Sequence, residues 1–160
     1  MRIIKSAVIS VLGIALLVLA ISRLLPSHTR VSRAATLPFP AESIAPLMSN
    51  LREWENWNLL VYADDQVAYD SSTGTLVAGT LQVSLLNNTA SEIVTRWQMK
   101  GAEPVIGHFM LMPAGKDTTI VQWYFDFDAG WAPWKKFGSI IYDRQLGPPM
   151  ERSLEKLGAW

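Results

Sequence analysis

The residues best suited to acid–base chemistry are two aspartates and one histidine. Asp126 and Asp128 are two positions apart in an alternating segment, so their carboxylates would project from one face of a strand. His108 lies in an apolar segment, where it could exchange a proton. Alternation equally predicts a solvent-exposed face for the two aspartates, and a hydrogen-bonded structural role is the alternative for His108. We therefore assign no catalytic residue.

The remaining charged residues argue against a metal site and against a nucleic-acid partner. The chain has no cysteine, and its two histidines are far apart with no acidic residue at ligand spacing, so we expect no metal and no cofactor. One acidic set lacks the pattern of a calcium loop and is typical of a solvated surface; it comprises Glu53, Glu55, Asp64, Asp65 and Asp70. Three of the 14 basic residues precede Leu24, which leaves 11 against 14 acidic residues and disfavours binding to a phosphate backbone.

An uncharged run of 17 residues, Ser6 to Ser22, lies near the N-terminus between basic residues. A helix that crosses a bilayer needs about 17–25 mostly apolar residues, and Leu24 and Leu25 extend the run before Pro26 ends it. No clear small-residue exit follows Ala20, so we predict an uncleaved single-pass anchor over residues 1–26, with a signal peptide or a core helix as the alternatives.

This anchor predicts a cell-membrane location for a single soluble domain over residues 27–160. A very short segment ahead of a first apolar run usually stays in the cytoplasm, which would place the domain on the non-cytoplasmic side. The basic residues on the two sides of the run nearly balance, so their distribution favours neither orientation.

Hydrophobic periodicity predicts the elements that position these residues. A strand over 27–37 precedes helical spacing over Ala41–Asn50 and from Leu51 to Trp57. From Leu59 the period changes to two, which predicts an antiparallel meander. Its segments are Leu59–Asp70, Thr75–Leu85, Glu92–Met99, Val105–Met112 and Thr118–Asp128. Helical spacing then returns, and Gly147–Pro149 divides either one kinked helix or two helices.

Several short motifs occur in an order typical of one protein family. They are Leu25–Ser27, Val31–Arg33, Pro40–Glu42, Leu51–Trp57 and Asp143–Pro148, followed by Glu151, Leu154 and Leu157. Together they resemble the SRPBCC proteins (START-like, polyketide cyclase/dehydrase-like), and most of all a subgroup with one N-terminal membrane helix. The resemblance covers nearly the whole chain.

The resemblance implies an α+β helix-grip fold, in which a curved antiparallel sheet wraps around a long C-terminal helix, here preceded by a transmembrane helix. Segment 70–78 is shorter than its counterpart in the family, so we expect about six strands rather than seven. An apolar cavity between sheet and helix is also implied. Its candidate ligand-binding residues are Trp97, Phe109, Trp123, Phe125, Phe137 and Ile141.

We therefore predict a membrane-anchored domain that binds a hydrophobic small molecule or lipid. A membrane-tethered protein-interaction module with a collapsed cavity is the alternative. A cyclase-like enzyme is a weaker one, because no acid–base pair stands out. Four tryptophans, at positions 54, 57, 131 and 134, could form a membrane-facing or ligand-gating surface, with packing in the core as the alternative.

Overall fold

The computed structural model describes residues 2–62, 66–130 and 133–159. Its helices are α1 (Arg2–Leu24), α2 (Ala41–Ser49), α3 (Trp54–Trp57), α4 (Leu59–Tyr62) and α5 (Pro133–Gly158), with a 3-10 turn over Leu51–Glu53. Its strands are β1 (His28–Leu37), β2 (Val67–Asp70), β3 (Thr75–Ala78), β4 (Leu81–Asn88), β5 (Glu92–Met99), β6 (Val105–Pro113) and β7 (Thr119–Asp128).

Helix α1 is formed by the uncharged run that the sequence singles out. Among the described residues, one helix, over Ile4–Leu24, is long and apolar enough to cross a membrane, and its most apolar stretch of 18 residues is not buried against the rest of the chain. A membrane span and a signal sequence share these properties.

The seven strands form one antiparallel sheet in the order β1-β7-β6-β5-β4-β3-β2. Successive strands from β2 to β7 are neighbours because short turns join them, and β1 completes the sheet beside β7. The register pairs His28 with Asp128 and Leu37 with Thr119. We call the end of the sheet with His28, Leu81, Met99, Val105 and Asp128 the proximal end, since α1 leads into it, and the other the distal end.

The fold class expected from the sequence is confirmed, but the expected count of about six strands is one too low. Segment 70–78 holds the β2–β3 turn and all of β3, because a compact turn through Gly74, at φ 67°, lets β2 and β3 pair over only four residues each. The strand expected over Thr75–Leu85 is in fact two, since Gly79, at φ 55°, turns the chain between β3 and β4. The strand expected over Leu59–Asp70 likewise divides into α4 and β2.

Helix α5 is continuous from Pro133 to Gly158 and includes Pro148 and Pro149, so of the two sequence alternatives the structure contains one helix. Its C-terminal half buries Met150, Leu154 and Leu157 against the inner face of the sheet and the short helices. These apolar residues, at spacings of three and four, form the stripe by which the helix packs against the sheet.

Candidate ligand-binding cavity

Aromatic side chains cover the inner face of the sheet where β5, β6 and β7 are neighbours. They are Trp97, Phe109, Trp123 and Phe125, which alternation directs to the same face. The rings of Phe109 and Trp123 stack at 4.8 Å between centroids, and Trp97 meets Phe125 edge-on at 5.2 Å. Such contacts stabilise a core beyond the area that they bury, so this cluster is a rigid platform.

Helix α3 covers part of this platform with two further tryptophans. The ring centroid of Trp54 lies 5.6 Å from those of Trp97 and Phe109, and the centroid of Trp57 lies 6.5 Å from that of Trp123. The indole Nε1 of Trp54 donates a 2.7 Å hydrogen bond to the carbonyl oxygen of Met48. Phe109 and Trp123 are therefore enclosed on both sides and belong to the packed core.

Beside this covered part, the proximal end of the inner face borders an open cavity of about 790 Å³. Its floor is formed by Trp97 and Phe125, and α5 contributes Tyr142 and Leu146 to its wall. The other apolar lining residues include Leu60, Leu81, Met99, Val105, Ile106 and Phe127. An apolar cleft of this size is the usual form of a site for a small organic ligand.

Polar groups of the lining lie at the rim of the cavity. Glu103, in the β5–β6 loop, forms an ion pair with Lys135 at the start of α5, with 3.3 Å between Oε1 and Nζ. The carboxylate of Asp128 accepts a 2.7 Å hydrogen bond from the backbone N–H of Gly130. Charge at the rim and apolar side chains in the interior would favour a ligand with a long apolar part and a polar end.

The six sequence candidates for the cavity have four different outcomes. Trp97 and Phe125 line it, and Phe109 and Trp123 lie in the core next to it. Ile141 is 51% exposed and is not among the lining residues, while the side chain of Phe137 lies outside the described residues.

Sequence reasoning missed Tyr142 and Leu146. Like Phe137 and Ile141, they are four residues apart on α5, but their stripe is rotated about the helix axis by about 140°. The spacing of apolar residues therefore predicts an apolar stripe on α5, but it does not show which stripe faces the cavity.

Of the candidate acid–base groups, Asp128 lies at the cavity rim, whereas the contacts of Asp126 and His108 are with outer-face residues of the sheet. The guanidinium of Arg30 donates two hydrogen bonds to the Asp126 carboxylate, at 2.7 and 2.8 Å, and these hold the pKa of Asp126 below its ordinary value. His108 lies 2.9 Å from the Glu92 carboxylate and stacks on Tyr124. Asp126 is thus held as a carboxylate, which is the wrong form for a general acid near neutral pH.

The acidic set of the sequence does not form a metal site among the described residues. The carboxylate of Glu53 accepts a hydrogen bond from Asn56, and that of Asp70 accepts hydrogen bonds from Ser72 and Thr73 in the β2–β3 turn. Asp64 and Asp65 lie outside the described residues, and within those the structure brings no three histidine, aspartate or glutamate side chains together for a metal ion.

Comparison with known proteins relates the chain to solved structures by fold. No protein-family model matches it, and no curated protein sequence does either. Norcoclaurine synthase from Thalictrum flavum, in complex with dopamine and hydroxybenzaldehyde, aligns over 87% of this chain and 89% of that chain, with 9% identity and a TM-score of 0.61. A Thermobifida fusca protein aligns over 81% of this chain and 90% of its own, with 16% identity and a TM-score of 0.59. These similarities show the fold alone, and it is the expected helix-grip arrangement of an antiparallel sheet and a long C-terminal helix.

Proposed function

We propose that this chain is a membrane-anchored binding protein, in which α1 is the anchor and the domain over 27–160 holds an apolar small molecule or a lipid. The observation that carries the proposal is the cavity of about 790 Å³ beside the aromatic platform. An open apolar cavity is costly to keep in a folded domain, because its lining residues give up packing contacts. A ligand would restore those contacts.

The position of the cavity supports a ligand that comes from the membrane. The cavity opens at the proximal end, where the carbonyl oxygen of Ser27 accepts a 2.8 Å hydrogen bond from the backbone N–H of Ala129. Leu25 and Pro26 are all that separates α1 from this bonded residue, so the domain has little reach away from the bilayer. On the orientation argued from the sequence, it would lie on the non-cytoplasmic side.

The related fold of norcoclaurine synthase is consistent with this proposal. That protein has been solved with dopamine and hydroxybenzaldehyde bound, so a domain of this fold can hold small organic molecules. The ligand itself does not carry over at 9% identity. The open cavity also favours ligand binding over the collapsed-cavity interaction module.

Two substitutions on α5 test the cavity. Leu146→Trp would place a bulky indole at the wall of the cavity and obstruct it, and Ile141→Trp adds an indole to an exposed position on the same helix. The full chain in bilayer nanodiscs would be titrated with a dansyl-labelled fatty acid, and nanodiscs without protein would correct for partitioning. We expect the wild type and Ile141→Trp to bind equally, and Leu146→Trp to bind at least about tenfold more weakly, which equals about 1.4 kcal/mol.

The outcome that contradicts the proposal is equal binding by Leu146→Trp and the wild type at equal unfolding temperatures. Lipid extraction followed by mass spectrometry of the purified full chain gives an independent measurement. A reproducible excess of one lipid in the wild type, reduced in Leu146→Trp, would support the proposal.

A further inference from the structure

The start of α5 is held against the end of α1 by a buried lysine. The Nζ atom of Lys136, a residue that is 6% exposed, donates to the carbonyl oxygens of Ser22 and Leu25 at 3.1 and 3.2 Å. The last carbonyl groups of a helix have no partners within the helix and carry partial negative charge, which a lysine neutralises. This contact keeps the first turn of α5 at the end of the apolar helix.

Trp134 lies two residues before that lysine and is exposed to solvent. Its exposed fraction is 70%, whereas Trp54, Trp57, Trp97 and Trp123 are all buried. Leu24, the last residue of α1, is even more exposed. Tryptophan is enriched where a bilayer meets water, because an apolar ring and a polar N–H are both accommodated there.

The rim of the cavity lies at the same place. Lys135, the neighbour of Trp134, forms the ion pair with Glu103, and the loop that carries Glu103 connects β5 to β6 at the proximal end. Trp134 is therefore next to the cavity rim, through Lys135, and next to the end of α1, through Lys136.

We infer that the proximal end of the domain rests on the bilayer, with Trp134 in the interfacial layer and the cavity opening toward the lipid headgroups. The inference rests on the proposed membrane anchor and adds the surface by which the domain meets the membrane. The occupant of this surface is the lipid bilayer itself, because Lys136 joins the surface to the end of the apolar helix. A lipid could then enter the cavity without crossing water.

Because the chain has no cysteine, a spin label can be attached specifically at a single introduced cysteine. Single-cysteine variants Trp134→Cys and Leu86→Cys would be spin-labelled in the full chain and placed in phosphatidylcholine nanodiscs. Leu86 is the matched control, since it is apolar, 53% exposed and located on β4 toward the distal end. Electron paramagnetic resonance would compare the accessibility of each label to oxygen and to a water-soluble nickel chelate.

We expect the label at position 134 to be several-fold less accessible to the nickel chelate than the label at position 86, and more accessible to oxygen. Equal accessibility of the two labels to the chelate would overturn the inference. Unfolding temperatures close to that of the wild type would show that both variants fold.

A third variant, Gly13→Cys, separates this inference from the proposed function. Gly13 lies in the middle of α1, and a side chain there would meet no neighbouring atom. A shielded label at 13 with a water-exposed label at 134 overturns the inference and leaves the anchor standing. If the label at position 13 is exposed to water, both the anchor and the inference are overturned. If the labels behave as expected but the wild type does not bind the fatty acid, only the proposed ligand is overturned.

Discussion

The two halves of α5 face the same sheet and serve different purposes. C-terminal to the Gly147–Pro149 segment, the helix places Met150, Leu154 and Leu157 in the core. N-terminal to it, Tyr142 and Leu146 border the cavity. We call residues 150–158 the closed half and residues 133–146 the open half. One helix can thus complete a core and border an open cavity, provided that the residues it packs against end partway along it.

The boundary between the halves has a specific contact. The guanidinium of Arg33, from β1, lies so close to Gly147 that a Cβ atom there would overlap it. Its Nη1 atom donates to the Asp143 carboxylate at 2.9 Å. A charged group thus occupies the space between sheet and helix where the closed half ends, and it limits how far the apolar packing extends.

The largest expected effect tests the closed half against the open half. Leu154→Ala should lower the free energy of unfolding by about 2–5 kcal/mol, because it leaves a void among fully buried neighbours. Leu146→Ala should cost about 1 kcal/mol or less, since its side chain already borders open space. Denaturant unfolding of the full chain in micelles measures both changes, and equal losses would remove the distinction between the halves.

A smaller effect is expected at the floor of the cavity. An added Cβ at Gly107, on β6, would lie 2.7 Å from the Phe125 ring and 2.9 Å from Nε1 of Trp97. Both rings are held by other aromatic contacts, so Gly107→Ala should lower the free energy of unfolding by about 1–3 kcal/mol. It should also push the rings toward the cavity and weaken fatty-acid binding, which the same titration would detect. Unchanged stability and unchanged binding would mean that the platform is not rigid.

The same substitution at the boundary should have a much smaller effect. Gly147→Ala would displace the end of a flexible arginine, and the gain in helix propensity of about 1 kcal/mol is opposed by the steric effect of Pro148 on a preceding Cβ. The clearer readout is the pKa of Asp143, which the hydrogen bond from Arg33 holds below its ordinary value. An NMR titration should show that pKa rising in the variant; an unchanged value would mean that Arg33 keeps its place.

The smallest effect concerns the ion pair between Arg30 and Asp126 on the outer face of the sheet. The hydrogen bonds from Arg30 lower the folded-state pKa of Asp126, so this pair stabilises the fold above the unfolded-state pKa of about 4 and loses its effect as the pH falls through the lowered folded value. Because the pair is half-exposed, its contribution should be about 1 kcal/mol or less. The stability difference between wild type and Asp126→Asn should be constant above about pH 5 and shrink below pH 4. A difference that persists at pH 2 would contradict this linkage.

Several elements could be predicted because their signals are local. Strand β7 alternates strictly, so the predicted segment Thr118–Asp128 agrees with the observed strand to within one residue. The number of strands could not be predicted, because β2 and β3 are too short to show a period and depend on turns at Gly74 and Gly79.

The candidate site was predictable only where it coincides with the sheet. Trp97 and Phe125 line the cavity by virtue of strand alternation. The wall from α5 was not predictable, because apolar residues follow two stripes there, and an exposed Ile141 has the same hydrophobicity as a buried one. Which stripe faces the cavity depends on how the helix is rotated against the sheet.

Hydrophobic periodicity, which residues close together in the chain define, was enough to predict the apolar helix, an antiparallel meander and a helical C-terminal segment. Whether that segment forms one helix or two was left open by the sequence. Tertiary structure alone decided that Trp54 and Trp57 are core while Trp134 is exposed, and that the core ends at Gly147 and a cavity begins. Burial is a property of contacts between distant segments. The same tryptophan side chain can therefore complete a core in one place and meet solvent in another.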